Sequence, residues 1–291
     1  MEVLVTGAGG FSGSHLVPAL IARGHHVTAV VGRTRGRLDA TLGLPALNVI
    51  AGNLSEPLTL PGHIDAIVHA AARSPGTGVT SADMVRDNVV GTQRLVEYAR
   101  EAGARTFVYL SSLSVYGTIT APVVDEATPI VNPDAYGMTK YLGEIMLRET
   151  PASLRTLSIR LPGVLGPRSV RNWLTSVLLA AKAGREIVYY NPDAPFNNAI
   201  HINDLCGFVG DLLAASNWDG HAAVTVGAGG MTSVRKAVQV IVEAFGSRSA
   251  LGVRQEVRPS FTVSSENARR YGYRPMEIEA MLAQFAEENR S

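Results

Sequence analysis

Cysteine is nearly missing from this chain: of 291 residues only Cys206 is one. A single thiol cannot close an intrachain disulfide, which fits a reducing compartment and a cytoplasmic location. Set among Leu205, Phe208 and Val209, it reads as a small core residue rather than a nucleophile. Cys/His clusters with metal-ligand spacing are absent too, and His25 and His26 stand at the start of an apolar strand, as edge or surface residues. Charge is sparse and balanced: 18% of residues are charged, 26 Lys and Arg against 25 Asp and Glu, for a formal net charge of +1. That balance gives neither nucleic acid nor a membrane surface a reason to bind. No apolar run nears the ~20 residues that span a bilayer. The first strand pattern starts at Val3 and leaves no space for a signal peptide. What remains is an ordinary globular composition, 46% hydrophobic, long enough for one large domain or one and a half.

The most informative stretch comes first. Val3, Leu4 and Val5 form an apolar run without polar alternation, the pattern of a strand buried on both faces of a parallel sheet. Thr6 and Gly7 break it, Gly10 and Gly13 follow at three-residue intervals, and Ser14 to Arg23 carries Leu16, Val17, Leu20 and Ile21 on one helical face. Strand, glycine turn and helix N-terminus together make a phosphate cradle. Gly7 permits the turn, Gly10 admits a pyrophosphate to the backbone, and Gly13 lets the helix pack on the strand. Gly24 ends the helix, and His25 to Val31 reads as the second strand. An acid at the end of that strand would bind an adenosine ribose, whereas an arginine binds a 2′-phosphate. Arg33, Arg35 and Arg37 stand there with no acid before Asp39, which favours NADP over NAD.

Leu47 to Ala51 and Ile64 to His69 read as further strands. Asn53 and Leu54 follow the first; Ala70, Ala71 and Ala72 follow the second, where small side chains let backbone pass close under a cofactor. Met84 to Ala102 is an amphipathic helix containing Asn88, a polar residue that either ties the helix to neighbouring backbone or faces water. Thr106 to Leu110 is a fifth strand, and Ser111, Ser112 and Ser114 lie just past its tip, where ligands of open parallel sheets bind. Tyr136 and Lys140 open the next helix four residues apart and so share a face. An ammonium beside a phenol lowers its pKa from ~10 and makes it a usable general acid or base near neutrality. Ser112 would orient a carbonyl or hydroxyl toward that phenol. The same spacing also occurs on plain surface helices, so spacing alone does not separate the two. Ser153 to Arg160 reads as a sixth strand.

These pieces, in this order, resemble the extended short-chain dehydrogenases/reductases, in particular their NAD-dependent epimerase/dehydratase branch. The resemblance rests on Thr6-Gly-x-x-Gly-x-x-Gly13, His69-Ala-Ala-Ala72, Asn88, Ser112 ahead of Tyr116-Gly117, and Tyr136-x-x-x-Lys140. It continues through Arg160 with Gly166-Pro167, His201-Ile-Asn-Asp204-Leu205 and Tyr271-Gly-Tyr-Arg-Pro275. It implies an α/β fold: a doubly wound Rossmann-type parallel sheet over residues 1–166, joined by 196–228. A small C-terminal α+β substrate lobe would come from 167–195 and 229–291. It further implies that Ser112 polarises the substrate, Tyr136 moves a proton, and Lys140 binds the nicotinamide ribose. Gly7, Gly10, Phe11 and Gly13 would hold the pyrophosphate, Asn53 and Leu54 the adenine, and Ala70, Ala71, Ala72, Asn88 and Pro162 the rest of the cofactor, with Arg33 on a 2′-phosphate. Ser74, Ser114, Gly163, Arg168 and Asn197 would join Ser112 and Tyr136 as substrate contacts. The helices around 84–102 and 134–149 resemble the family's homodimer seam.

The departures narrow the chemistry. The 4,6-dehydratases of the family carry Asp-Glu directly after the serine; Leu113 and Ser114 stand there, so water elimination lacks its acid/base pair. Asn197-Asn198 occupies the place of an Arg-Asp pair, Gly163 that of an Asn, and Asn53 that of the adenine-binding Asp. An amide does not replace an arginine's fork, which leaves Arg168, Arg171, Arg254 or Arg258 to meet a diphosphate. The leading reading is hydride transfer to or from a keto or hydroxyl carbon of a nucleotide-activated sugar, by a reductase or an epimerase. A second is an NADPH-dependent reductase of a non-sugar ketone or aldehyde. A third, a dinucleotide-sensing protein without turnover, is opposed by the intact Ser112, Tyr136 and Lys140.

Overall fold

A computed structural model describes residues 1–32, 36–41, 43–170, 172–256 and 258–290. The chain divides into two compact units, the first made of 1–118, 129–160 and 206–224, the second of 119–128, 161–205 and 225–291.

In the first unit the apolar runs become strands: β1 (Glu2–Thr6), β2 (His26–Val31), β3 (Leu47–Ala51), β4 (Ala66–His69), β5 (Thr106–Ser112), β6 (Arg155–Leu161) and β7 (His221–Thr225). They form one parallel sheet in the order β7-β6-β5-β4-β1-β2-β3. The order reverses beside β1, with Leu4 opposite Thr28 on one side and Ile67 on the other. Ligands of doubly wound sheets bind at such a reversal, outside the carboxyl ends of the strands. The unbroken apolar character of β1 is explained by burial on both faces: Val3, Leu4 and Val5 have no exposed surface.

Helices cover the sheet. α1 (Phe11–Ala22) follows β1, and a helical stretch of Ser81–Met84 runs through a π turn, Val85–Val90, into α2 (Gly91–Glu101). Its start is capped reciprocally by Thr80 and Asp83, whose side chains accept each other's backbone N–H at 3.1 and 3.0 Å. α3 (Ala135–Arg148) is capped by Asp134, whose carboxylate accepts the Gly137 N–H at 2.7 Å. Leu4, Ile67, Phe107 and Tyr109 from the sheet pack with Leu95 and Ala99 of α2 and Leu147 of α3 into one core. Cys206 is buried in this unit, and burial pushes its thiol up to about 12, so it stays protonated and inert.

The second unit has its own core, where Leu174, Val177 and Leu178 of helix Trp173–Lys182 meet Val238 and Ile241 of Val234–Phe245, and Leu282 and Phe285 of Ile278–Glu288. Short strands pair around it, Gly163–Leu165 with Ala199–His201 and Val123–Val124 with Thr262–Val263. Those ladders explain why 161–166, 196–205 and 119–128 belong to this unit, although the sequence reading put them with the sheet. His201 Nε2 lies 3.0 Å from Glu288 Oε2, and the Asp204 carboxylate accepts the Met276 N–H at 2.9 Å. The His-x-x-Asp motif thus fastens the C-terminal segment. Among the described residues no helix is long and apolar enough to cross a membrane, and no His/Cys/Asp/Glu group could hold a metal ion.

Candidate active site

The glycine bend between β1 and α1 is glycine because nothing larger fits. Gly7 has φ +67°, and a Cβ there would lie 2.6 Å from the Ala71 nitrogen; at Gly13 one would lie 2.3 Å from the Gly7 carbonyl oxygen. The α1 N-terminus has no side-chain cap and no acid in its first turn, so its leading N–H groups remain open to an anion. The turn Gly36–Thr41 folds back on this bend: the Arg37 N–H donates to the Gly9 carbonyl at 3.2 Å, and the Arg37 guanidinium lies 5.5 Å from the Phe11 ring centre. These residues fit the pyrophosphate of a dinucleotide. Arg33 and Arg35 lie outside the described residues.

Residues 70–74 lead from the bend to α3. His69 is buried between two hydroxyls, Thr6 Oγ1 at 2.7 Å and Thr92 Oγ1 at 2.9 Å. The Arg73 N–H donates to Asn88 Oδ1 at 2.6 Å, and Asn88 Nδ2 donates to the Arg73 carbonyl and to Thr139 Oγ1, both at 3.0 Å. The Thr139 hydroxyl in turn donates to the Tyr136 carbonyl at 2.8 Å. Of the two sequence-level readings of Asn88, the structure shows the tie: its amide joins the loop after β4 to the turn of α3 that carries Tyr136. Asn88 sits in the π turn, a local widening of the helix common at functional sites.

Burial raises the Tyr136 phenol above its ordinary value, a push opposed by hydrogen bonding from Ser74 and reinforced by Asp134. The expected lowering of that phenol by Lys140 is therefore corrected for the chain by itself. Lys140 is only 1% exposed, and removal from water drops its ammonium to about 7, leaving it near half-charged at neutrality and a weak source of field. Its Nζ lies 4.0 Å from the centre of the Tyr109 ring. Ser112 ends β5; its hydroxyl accepts the Ser114 N–H and donates to Ser114 Oγ, each at 3.1 Å. The turn Leu113–Tyr116 that follows packs against the start of α3, where a Cβ on Gly137 would lie 2.0 Å from the Ser114 carbonyl oxygen. Gly7, Ala70, Ala71, Ser74, Asn88, Ser112, Ser114, Tyr136 and Lys140 thus belong to one connected region of the first unit, with Ala72 in the same loop.

Asn53 donates to Asp87 Oδ1 at 3.2 Å and accepts the Ser55 N–H at 3.2 Å, while Leu54 packs beside Gly91. Asp87 also receives Arg73 at 2.7 Å and Arg86 at 3.0 Å. Sequence reasoning missed Glu144 and Tyr109. The buried Arg160–Glu144 pair closes at 2.7 Å, with Ser111 donating to Glu144 at 2.5 Å and Arg160 to the Tyr116 hydroxyl at 2.8 Å. Glu144 lies one turn beyond Lys140, a spacing that could have signalled it.

Pro162, Gly163, Arg168 and Asn197 lie in the second unit. Asn172 fills the space beside Gly163, its Nδ2 standing 2.2 Å from where a Cβ would be. Asn197 is buried and exchanges two 2.8 Å hydrogen bonds with the Val263 backbone. Arg168 is exposed at φ +60°, its N–H donating to Asn289 Oδ1 at 3.0 Å; Arg171 lies outside the described residues. This unit also holds a cavity of about 570 Å³ lined by Trp173, Val188, Tyr190, Phe196, Arg258 and Phe261, among others. Arg258 stacks 3.6 Å from the Tyr190 ring centre, and Trp173 meets Phe196 edge to face at 5.4 Å.

Residues 3–225 match the NAD dependent epimerase/dehydratase family. The chain is 31% identical over 289 residues to UDP-glucose 4-epimerase 3 of Oryza sativa subsp. japonica, covering 85% of this chain and 77% of that protein. It is 33% identical over 162 residues to D-erythronate dehydrogenase of Cupriavidus necator, covering 51% of this chain and 50% of that protein. Its fold matches the UDP-glucuronic acid 4-epimerase of Bacillus cereus, solved in complex with NAD, at a TM-score of 0.82 and 20% identity, covering 99% of this chain and 98% of that one. With the family's model matched over most of its length, the chain belongs to the NAD dependent epimerase/dehydratase family and is an enzyme of the extended short-chain dehydrogenase/reductase type.

Proposed function

We propose that this chain oxidises and reduces a hydroxyl or keto carbon of a nucleotide-activated sugar, as a 4-epimerase or a keto-sugar reductase. A bound nicotinamide dinucleotide supplies the hydride acceptor and donor. The chain's own residues do the rest: Tyr136 gives and takes the proton at the substrate oxygen, Ser112 orients that oxygen, and Lys140 holds the ribose and supplies positive charge. The observation that carries the reading is the continuous connection from glycine bend through 70–74 and Asn88 to Tyr136. Curated UDP-glucose 4-epimerases are similar over most of the chain. The aromatic cavity of the second unit has the size and lining for a nucleotide, with Arg258 in that lining as a cation for a diphosphate.

Arg37 against the bend, with Arg33 and Arg35 beside it in sequence, supports NADP as the preferred dinucleotide over NAD. The two sugar reactions separate by stoichiometry. An epimerase turns over UDP-glucose or UDP-galactose with no added cofactor, while a reductase consumes one NADPH per product. Identifying the nucleotide that co-purifies decides the cofactor. A homodimer through the helical stretch 81–101 and α3 is part of the proposal, as is a cytoplasmic location.

The non-sugar reductase remains a second reading because Asn197, in the place of an arginine partner for phosphate, is committed to Val263. NADPH consumption with small ketones or hydroxy acids, and none with nucleotide-sugars, would select it.

A further inference from the structure

Lys140 presents a physical problem. The side chain is buried, and no hydrogen bond or ion pair among the described residues accounts for how its ammonium is held. Glu144 stands one turn further along α3 and its charge partly offsets the cost of burial, but its carboxylate is hydrogen-bonded to Arg160 and Ser111. His69 from β4 is buried, held between Thr6 and Thr92, and lowered further by the lysine's charge, so it supplies no anion. Tyr136 lies one turn back, its phenol raised and protonated. What faces the ammonium is the Tyr109 ring, projecting from β5 with its centre 4.0 Å from Nζ. That ring is fully buried, and its hydroxyl is directed toward Thr92 without a well-formed hydrogen bond. The backbone accommodates it: a Cβ on Gly143 would lie 2.4 Å from the Tyr109 hydroxyl and 2.7 Å from Cζ, so only glycine at that turn of α3 admits the ring.

We propose that Tyr109 is the positioning residue of Lys140: the face of its ring, in place of a carboxylate, holds the ammonium on the side of α3 that carries Tyr136, and Gly143 makes room for it. The electron-rich ring attracts a cation without neutralising it. Lys140 is thereby kept in place while its N–H groups remain available to a ribose hydroxyl. The consequence for catalysis rests on the function proposed above; the placement of the lysine does not.

The chain's three lysines, Lys140, Lys182 and Lys236, make a direct test possible. Protein labelled with 13C at lysine Cε gives three NMR signals, assigned by their loss in Lys182→Arg and Lys236→Arg, and Lys140 is followed through a pH titration. Its midpoint in the wild type is expected at about 7. Tyr109→Phe keeps the ring and should keep the midpoint. Tyr109→Leu removes the ring and should lower the midpoint by roughly half a unit to one unit, the cation having lost its π partner. An unchanged midpoint in Tyr109→Leu overturns the proposal. So does a shift in Tyr109→Phe as large as in Tyr109→Leu, which would assign the effect to the hydroxyl. Should Tyr109→Leu not fold, Gly143→Ala displaces the ring while favouring the helix, and an unmoved Lys140 midpoint there is equally fatal. Activity is read alongside: if Tyr109→Leu shifts the midpoint but the wild type turns over no nucleotide-sugar, the placement stands and the function fails.

Discussion

An ammonium buried as deeply as Lys140 must either find an anion or hold its proton loosely. The second outcome makes stability depend on pH in a definite direction. An unfolded lysine titrates near ~10.4, the folded one at about 7. Between those values the unfolded chain binds a proton that the folded chain does not, so stability rises with pH across the window. Below 7 both states are protonated and the dependence from this group vanishes. The slope from Lys140 cannot exceed ~1.4 kcal/mol per pH unit. Urea unfolding of wild type and Lys140→Met at pH 7 to 9 should show the difference in slope, and parallel lines would remove the assignment. Tyr136→Phe acts differently: the ring stays and only the proton-transferring oxygen goes. Turnover should fall by roughly 10²- to 10⁴-fold with cofactor affinity unchanged in a fluorescence titration. Both residues were legible in the sequence because four-residue spacing on a helix is a local property. Tyr109 was not, since its pairing with Lys140 joins a strand to a helix thirty-one positions away (109 to 140) and no periodicity encodes that contact.

Elements fix where those residues stand. The β1–α1 unit was readable because its glycines answer a backbone requirement that only glycine meets: Gly13 admits the Gly7 carbonyl. Gly13→Ala should therefore cost ~1–3 kcal/mol in unfolding free energy and weaken dinucleotide binding, because its methyl would strike backbone that cannot move aside. Asn88 was ambiguous in the sequence for an equally physical reason. A polar residue in an amphipathic helix faces water or the interior according to the helix phase, and the π turn Val85–Val90 shifts that phase. Replacing Asn88 with Ala leaves the Arg73 N–H and carbonyl without their partner. The expected loss is ~1–3 kcal/mol, with kcat falling more than KM rises, because the amide orients α3 without touching the substrate. The Arg160–Glu144 pair was hidden because its members lie on different elements. Glu144→Leu strands a buried guanidinium and should cost ~3–5 kcal/mol by denaturant titration.

For the whole molecule, the question left by two separately packed cores is which apolar surface remains over. On the first unit Val85 and Val90 of the π turn are 47% and 36% exposed, and Met138 and Leu142 of α3 are 43% and 37% exposed. These two segments pack side by side, so the residues belong to adjoining elements. Met138 and Leu142 are four apart on α3 and share one face. Isolated exposed apolar side chains need no explanation, but four of them on adjoining helices are what the proposed dimer would cover. In the proposed dimer a two-fold contact would let the same residues serve on both sides. The resemblance points to the same helices, and the exposure of these side chains supports the dimer proposed above. Wild-type protein should sediment at twice the single-chain mass. Met138→Glu with Leu142→Glu places charge in the seam and should yield single chains with unchanged circular dichroism, because neither side chain contributes to a buried core. A wild-type protein that sediments as a single chain at micromolar concentration would leave the exposed patch without this partner and refute the dimer.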